Sequence, residues 1–382
     1  MYLAPHTLSL ITTYRCTAAC DHCCFGCSPR EQRSVPPRQL REHIEQAREF
    51  ASIRVVVFTG GECFLLGRDL DELVKAAAGA GFVTRFVSNG YWATSREAAR
   101  RRIERLTRGG LREANFSTGE QHARFVPPEY VRHGAIAAAE MGLPSLVVID
   151  SFGTSRFDFE AFVSDPEFRR RVDEGSIVLK VSPWMRFGGE RRISYTRRCV
   201  KELNVHRLQG CATVLKVVGI TPKDEVILCC GLTVEEIPEM KAGTLRGRTI
   251  KEVLAEAPDD FMKIWIHLQG PDAVVRYAQS LDPTLVLPRQ LGHSCEVCRF
   301  VYGNPRIRDL IKREPPRNMP QIISQYIHSL VLQPNLTMPQ INLRPAHAPL
   351  SQVREIHRGT LLRPAAAPSP EPCRQQLVEQ AA

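Results

Sequence analysis

A group of cysteines near the amino terminus is the feature that most constrains this chain. Cys16, Cys20 and Cys23 follow one another with the spacing C-x3-C-x2-C, directly after a largely apolar run at residues 8–11. A structural zinc site takes four protein ligands. Three thiolates on one short loop instead suit a four-iron four-sulfur cluster in which one iron stays open to a bound molecule. The spacing therefore favours an iron-sulfur cluster at which chemistry can occur.

A zinc site is the alternative for this loop. Cys24 and Cys27 lie just beyond, so Cys20, Cys23, Cys24 and Cys27 can be drawn as a four-thiolate zinc knuckle. A zinc loop needs no apolar strand before it, and it explains none of the motifs that follow. We interpret Cys24 and Cys27 as small buried residues or spare thiols, with contact to a substrate as the other possibility.

Length and composition set the class of protein. The 382 residues allow one large domain or two of ordinary size, and a hydrophobic share of 43% is enough for a core. No apolar run approaches the ~20 residues that span a bilayer, and the start lacks the features of a signal peptide. Thirteen clustered cysteines indicate metal ligands in a reducing compartment rather than disulfides. We therefore expect a cytoplasmic protein with no membrane partner.

The net charge of +10 is less informative. It is compatible with an acidic partner such as a peptide or a reductase. Ordinary surface charge explains it equally well, because basic runs such as residues 100–102 are flanked by glutamates, as on a solvated helix face. We expect no nucleic-acid partner.

Short apolar runs alternate with amphipathic segments through the first half of the chain, which is the pattern of βα units around a parallel sheet. The pattern predicts strands at residues 8–11, 54–58, 82–87, 111–116, 146–149 and 177–181, and helices at 37–50, 70–78, 95–107 and 127–141. Six such units predict an α/β fold, a partial (β/α)6 barrel of the TIM type over residues 1–195. In such barrels the chemistry collects at the carboxyl ends of the strands.

Polar motifs follow three of the predicted strands. Gly60, Gly61 and Glu62 come after the second strand, where glycines let the backbone approach a ligand closely. Ser88 and Asn89 end the third strand and are followed by a glycine, which is also the sequence of an ordinary turn. The fourth strand ends in a segment at residues 117–122 that contains Ser117, Glu120 and His122.

The cysteine spacing, followed in order by these motifs, resembles the radical S-adenosylmethionine (radical SAM) family. The resemblance implies that Cys16, Cys20 and Cys23 hold a [4Fe-4S] cluster whose open iron binds S-adenosylmethionine. It further assigns cofactor-binding roles to the following residues: His22 beside the adenine, Gly60, Gly61 and Glu62 on the ammonium group, and Ser88, Asn89 and Ser117 on other parts of the cofactor.

Two positions depart from the family pattern. The segment at 117–122 resembles the family's Ser-x-Asp-x-x-His, but Gly119 replaces the acid and Glu120 follows one position later. The role of that acid is therefore not carried over, and His122 is equally a helix cap, a core residue or a substrate contact. His22 stands where the family usually has an aromatic residue, with an exposed loop histidine as the alternative.

A second set of cysteines lies beyond residue 196, in a region predicted to be a small α+β domain over residues 196–314. It consists of Cys211, Cys229, Cys230, Cys295 and Cys298. A hairpin predicted at residues 214–220 and 225–228, followed by residues 243–254, resembles the SPASM or shorter twitch subdomain of radical SAM enzymes. The resemblance implies one auxiliary [4Fe-4S] cluster held by Cys211, Cys229, Cys295 and Cys298. The full SPASM cysteine pattern is missing, which favours twitch, and a four-thiolate zinc site is the alternative.

Cys229 and Cys230 are adjacent, so on a regular strand their side chains point to opposite faces and only one readily binds the metal. We predict that Cys229 is the ligand. Cys230 would then be a thiol near the active site that donates a hydrogen atom to a substrate radical, with simple burial as the alternative.

Residues 315–382 are rich in Pro, Gln and Ala and predict a largely disordered tail, with one short helix or strand at 322–332 that docks on the body or holds a partner. Cys373 in this tail is not expected to be a ligand. A stretch at residues 182–189 resembles one near the end of the barrel in peptide-modifying members of the family.

The resemblance also implies a reaction. An electron from a flavodoxin or ferredoxin reduces the cluster, S-adenosylmethionine is cleaved, and the resulting carbon radical abstracts hydrogen from a substrate. The twitch resemblance favours a ribosomally made peptide, modified by cross-linking or epimerisation. Because the chain begins close to its first strand, we expect the peptide to be held by the twitch region, the tail or a separate protein. The alternatives are a dehydrogenase or biosynthetic enzyme acting on a small molecule, and a non-catalytic zinc-binding protein.

Overall fold

A parallel sheet organises the first half of the chain. The computed structural model describes residues 3–151, 156–183, 210–288 and 293–332. Six parallel strands lie side by side in chain order: β1 (Thr7–Ile11), β2 (Val55–Thr59), β3 (Val83–Ser88), β4 (Leu111–Gly119), β5 (Ser145–Ser151) and β6 (Ile177–Pro183). This confirms the predicted α/β fold with a parallel sheet, in the strand order of a (β/α) barrel.

Helices connect these strands and cover one face of the sheet. They are α1 (Pro37–Ala47), α2 (Arg68–Gly79), α3 (Arg96–Arg108), α4 (Glu120–Ala123), α5 (Pro128–Glu140), α6 (Phe159–Phe162) and α7 (Pro166–Asp173). The longer ones bury apolar residues at helical spacing, as Leu40 and Ile44 show on α1. Local sequence sets their starts: Ser95 accepts a hydrogen bond from the backbone of Ala98, and prolines open α1, α5 and α7.

The two faces of the sheet differ in character. Phe86 on β3 and Phe116 on β4 are fully buried against the helices, with ring centroids 5.5 Å apart. Side chains alternate along a strand, so Arg85, Glu113 and Asp150 lie on the opposite, inner face. The inner face therefore carries charged groups in a part of the molecule that is largely shielded from water.

The second half extends the same sheet. Strand β7 (Val217–Ile220) pairs parallel with β1, and β8 (Glu225–Ile227) and β9 (Lys241–Thr244) continue antiparallel, giving the order β6-β5-β4-β3-β2-β1-β7-β8-β9. This confirms the predicted hairpin. Six helices follow among the residues that the structure describes: α8 (Ile250–Ala255), α9 (Phe261–Gln269), α10 (Pro271–Leu281), α11 (Ser294–Gly303), α12 (Pro305–Arg313) and α13 (Met319–Leu332).

Helix α13 lies within the segment predicted to be a tail. Its Ile322 and Tyr326 are buried in a second apolar core that also contains Trp265 and Val301. Residues 333–382, with Cys373, and residues 184–189 of the stretch at 182–189 lie outside the described residues. In the ranges that are described, no helix is both long enough and apolar enough to cross a bilayer. The domain limits at 195 and 314 stay predictions.

Close packing between α5 and β4 gives a prediction for stability. A Cβ on Gly134 would lie 2.6 Å from Cε1 of Phe116, whereas a Cβ on Gly79 would meet nothing within 4 Å. Alanine adds helix propensity at both sites, but at 134 it also overpacks the core, at a cost of about 1–3 kcal/mol. We expect Gly134→Ala to be less stable than Gly79→Ala by about that amount in urea unfolding under reducing, anaerobic conditions. Equal midpoints for the two variants would contradict the packing described.

Candidate iron-sulfur and cofactor site

The loop that carries the first cysteines is held by the turn after β2. The backbone N–H of Gly61 donates to Thr13 O at 2.6 Å, and that of Glu62 donates to Arg15 O at 3.0 Å. A Cβ on Gly60 would lie 2.6 Å from Thr13 O, and one on Gly61 only 2.2 Å from Arg15 O. The two glycines are therefore required by the close approach of two backbones, in addition to any role toward a ligand.

Glu62 joins this turn to the end of β3. Its fully buried carboxylate accepts hydrogen bonds from Ser88 Oγ at 3.0 and 3.1 Å, from Asn89 N at 2.9 Å and from Phe64 N at 3.0 Å. Burial raises the pKa of Glu62 to about 7, although these hydrogen bonds act in the opposite direction. Two predicted motifs, the glycine turn and the polar end of β3, thus form one connected unit.

Asn89 extends this unit to the cysteine loop. Its Nδ2 donates to Thr17 Oγ1 at 3.0 Å and lies 3.6 Å from Cys16 Sγ. The backbone N–H of Ala18 also points at Cys16 Sγ, at 3.4 Å. Donors directed at a sulfur favour its thiolate form, the form that binds metal.

The three cysteines of the loop occupy buried or partly buried positions. Burial raises the pKa of Cys16 to about 12 and also raises that of Cys20, so their thiolates require a positively charged partner. The neighbouring Cys27 thiol hydrogen-bonds Cys23 and lowers the pKa of Cys23. The backbone N–H of Cys27 donates to the same sulfur at 3.3 Å. This donor set fits a cationic metal cluster.

The described residues contain one compact group of potential metal ligands. Within these ranges, only His22, His122 and Asp150 bring three potential ligand atoms within 4.8 Å of one another.

His22 and His122 meet at a buried carboxylate. His122 Nδ1 lies 2.9 Å from Asp150 Oδ1, His22 Nε2 lies 3.6 Å from Asp150 Oδ2, and the two rings stand edge to face with centroids 5.1 Å apart. His22 is 1% exposed, so the alternative of an exposed loop histidine is wrong. Burial lowers its pKa to about 4, which keeps the ring neutral.

Sequence reasoning missed Asp150, which is the last but one residue of β5. The predicted strand ended at residue 149. An acid directly after this apolar strand was the sequence signal that could have identified Asp150 as a site residue. Ser117, the other predicted residue on this side, lies half-buried on β4 opposite Val148.

A buried ion pair on the inner face was also missed. Arg85 Nη2 lies 2.6 Å from Glu113 Oε2, and Glu113 Oε1 accepts a hydrogen bond from Asn115 Nδ2 at 2.9 Å. The sequence signal that could have predicted this pair is one charged residue at an inward-facing position of β3 and one of β4. These groups give the inner face a fixed polarity next to the second cysteine set, since Arg85 also acts electrostatically on Cys230.

The second set of cysteines converges around Gly231. A Cβ on Gly231 would meet Cys295 Sγ at 3.2 Å and Cys229 Sγ at 3.7 Å, so the two sulfurs face a common space. Cys295 and Cys298 lie three residues apart on one side of α11. Burial raises the pKa of Cys298, and Cys229, Cys295 and Cys211 add to that shift. The four predicted ligands therefore lie near one another.

Cys229 and Cys230 differ in burial, but β8 ends at Ile227, so the predicted strand alternation does not extend to them. Cys229 is 5% exposed and faces Cys295, whereas Cys230 is exposed. Their chemical roles stay predictions.

Comparison with known proteins identifies the family of one part of the chain. Residues 10–118 match the Radical SAM superfamily. These residues are a radical SAM domain. It contains Cys16, Cys20 and Cys23, and also the glycine turn and the polar end of β3. The family implies S-adenosylmethionine and a [4Fe-4S] cluster as cofactors, in agreement with the donor set described above.

Similarity to individual proteins is either limited to part of the chain or weak. The chain is 30% identical over 127 residues to "Putative peptide biosynthesis protein YydG" of Bacillus subtilis (strain 168), an alignment that covers 33% of this chain and 40% of YydG. Two solved structures are weakly similar. BtrN in complex with AdoMet and 2-DOIA has a TM-score of 0.41 at 14% identity, covering 72% of this chain and 91% of BtrN. Native anSMEcpe with bound AdoMet and Cp18Cys peptide has a TM-score of 0.44 at 12% identity, covering 81% and 99%.

The environment of Glu62 gives a prediction for pH dependence. Its pKa is raised from 4.5 to about 7, so across that window the folded protein keeps a proton that the unfolded chain has lost. The contribution of this group to stability is therefore complete below pH 4.5 and is lost as the pH rises through 7. In urea unfolding of the iron-free protein, we expect the free energy of unfolding of the wild type, relative to Glu62→Gln, to fall by up to about 3 kcal/mol over the window. Glu42→Gln, at an exposed site, should follow the wild type; parallel profiles for wild type and Glu62→Gln would contradict the assignment.

Proposed function

We propose that the chain is a radical SAM enzyme that cleaves S-adenosylmethionine reductively and abstracts hydrogen from a ribosomally made peptide, leading to cross-linking or epimerisation. The proposal rests on one observation. Within a radical SAM domain, two backbone hydrogen bonds hold the cysteine loop against the Gly60–Glu62 turn. The similarity to YydG, which is named for peptide biosynthesis, supports a peptide as the substrate.

In this proposal Cys16, Cys20 and Cys23 hold a [4Fe-4S] cluster. When bound, the cluster and S-adenosylmethionine together supply a 5'-deoxyadenosyl radical. The chain's own residues position the cofactor: the Gly60–Glu62 turn presents backbone groups and a carboxylate to a cationic ammonium, and Ser88 and Asn89 fix that carboxylate. Because the pKa of Glu62 is raised to about 7, an ammonium beside it would favour the charged form.

The second cysteine set is proposed to hold an auxiliary [4Fe-4S] cluster in a twitch-like region. Cys211, Cys229, Cys295 and Cys298 supply four thiols, which leaves no iron open. An electron donor of the flavodoxin or ferredoxin type, and a cytoplasmic location, complete the proposal.

Cys230 is proposed to act on the substrate radical. Cys230 is exposed and also acts electrostatically on Cys295, whereas Cys229 is buried. In the proposed step the Cys230 S–H bond breaks and its hydrogen atom forms a C–H bond on the substrate carbon. A thiyl radical remains at Cys230, and one electron and one proton from the reductant restore the thiol.

Metal content tests the first cluster. Wild-type protein purified anaerobically should contain about eight irons per chain with matching sulfide, four for each [4Fe-4S] cluster, and should release 5'-deoxyadenosine with dithionite. Cys16→Ala should lose about half of the iron and all of this release. Cys63→Ala, at a buried cysteine whose thiol lies 3.5 Å from Val87 O, should retain both. A colourless zinc protein, or a cluster-loaded protein that never releases 5'-deoxyadenosine, would contradict the proposal.

The adjacent cysteines give a separate test. Cys229→Ala should lose about four irons, because a ligand of the auxiliary cluster is removed. Cys230→Ala should keep the iron content and the release of 5'-deoxyadenosine but should fail to form the epimerised product. If Cys230 is the donor, turnover of a peptide in D2O should also place one deuterium at the altered carbon. Identical behaviour of the two variants would rule out the division of roles.

A further inference from the structure

We propose that Asp150 on β5 supplies a carboxylate beside Gly119, the last residue of β4, and that it orients His22 and His122 at the edge of the cofactor site. Glu120, the acid that the sequence offers next to Gly119, does not have this role. Asp150 is in this view a positioning residue that acts through the two histidines. The inference rests on the proposed function, because it gives these histidines a bound S-adenosylmethionine or substrate to face.

The backbone at residue 119 excludes an acid at that position. Gly119 has φ 131° and ψ −171°, a combination that is essentially restricted to glycine. A Cβ built on it would lie 2.0 Å from Asp150 Oδ1 and 2.4 Å from Asp150 Cγ. Gly119 and Asp150 are register partners on neighbouring strands, so the carboxylate of one occupies the space that a side chain on the other would need.

The contacts of Asp150 match the proposed role. One carboxylate oxygen lies 2.9 Å from His122 Nδ1, and the other lies 3.6 Å from His22 Nε2. The second oxygen also faces the backbone N–H of Gln121 at 3.5 Å. Asp150 is 1% exposed, so its charge is held by these groups rather than by water.

Glu120 is directed elsewhere. Its Oε2 accepts a hydrogen bond from the backbone N–H of Arg156 at 2.9 Å. That bond ties α4 to the segment after β5, away from the two histidines. The displaced acid in the sequence therefore has a separate partner, and it serves as the matched control.

The position of the histidines explains why their orientation matters. His22 lies between Cys20 and Cys23 in the cluster loop, and Cys20 Sγ lies 3.7 Å from Gln121 O. The side chain of His122 keeps 17% of its surface exposed, so a bound molecule can reach it. A carboxylate on Nδ1 holds the proton on that nitrogen and leaves Nε2 as an acceptor. Asp150 thereby determines which nitrogen His122 presents to the cofactor side, and its second carboxylate oxygen faces the His22 ring.

The test compares Asp150→Asn with Glu120→Gln. Nitrogen-15 NMR of histidine-labelled, iron-free protein reports the tautomer of each ring, and replacing an aspartate behind a histidine by asparagine favours the wrong tautomer. We expect Asp150→Asn to change the His122 signals, assigned with His122→Gln, and to weaken S-adenosylmethionine binding to the reconstituted protein about tenfold, the loss of one charged hydrogen bond. Both variants should keep their iron, Glu120→Gln should match the wild type in both readouts, and Asp150→Glu should recover part of the binding.

Several results would overturn the inference. Wild-type tautomers and affinity in Asp150→Asn would do so, as would a loss in Glu120→Gln equal to that in Asp150→Asn. Stoichiometric binding of Co²⁺ by the iron-free wild type that Asp150→Asn abolishes would make the group a metal site instead. Thermal unfolding shows whether Asp150→Asn folds. If it does not, the inference is judged on the His122 tautomer measured in Asp150→Glu and in Glu120→Gln. Absence of iron or of 5'-deoxyadenosine release in the wild type would instead count against the proposed function and would leave the tautomer measurement standing.

Discussion

The contact between two backbones, the Gly60–Gly61 turn and residues 13–15, is the constraint on which the site depends. The turn donates two hydrogen bonds to the segment before Cys16, at distances that leave no room for a Cβ. Tyr14, Cys16 and Ala18 of the cysteine loop are buried in the second apolar core, and the two hydrogen bonds fix its backbone. By docking it on the end of β2, the chain converts it into a rigid extension of the sheet. The positions of Cys16, Cys20 and Cys23 are therefore set by β1 and β2.

The first half of the fold could be predicted because its signals are local. Runs such as residues 54–58 have the length and branched residues of a buried strand, and Ser95 and the prolines of α1 and α5 mark helix starts. Strand order follows from the rule that successive βα units are neighbours. The sequence therefore predicts that the cysteine loop, the glycine turn and the end of β3 lie close together.

Other parts depend on relations between distant residues. Asp150 lies beside the histidines because β4 and β5 pair in a register that places Gly119 opposite it. The sequence of either strand alone does not predict this register. The ion pair of Arg85 and Glu113 likewise joins two strands whose sequences look ordinary apart from one charge each. The helices that follow β9, including α11 with Cys295 and Cys298, lack the alternation with strands that guided the first half. The spacing of these cysteines indicates a metal site. Which cysteines meet on α11 and beside Gly231 becomes known only from the fold.

The two cysteine sets belong to one structural unit. Strand β7 pairs with β1, so the hairpin that leads to Cys229 and the strand that leads to Cys16 are neighbours in the sheet. Cys16, Cys27, Cys229 and Cys298 are all members of the second apolar core. Tyr14 reinforces this connection, because its hydroxyl donates to Glu235 Oε1 at 2.9 Å across the two halves of the chain. Ordering the helices around the second set therefore also packs the base of the first loop.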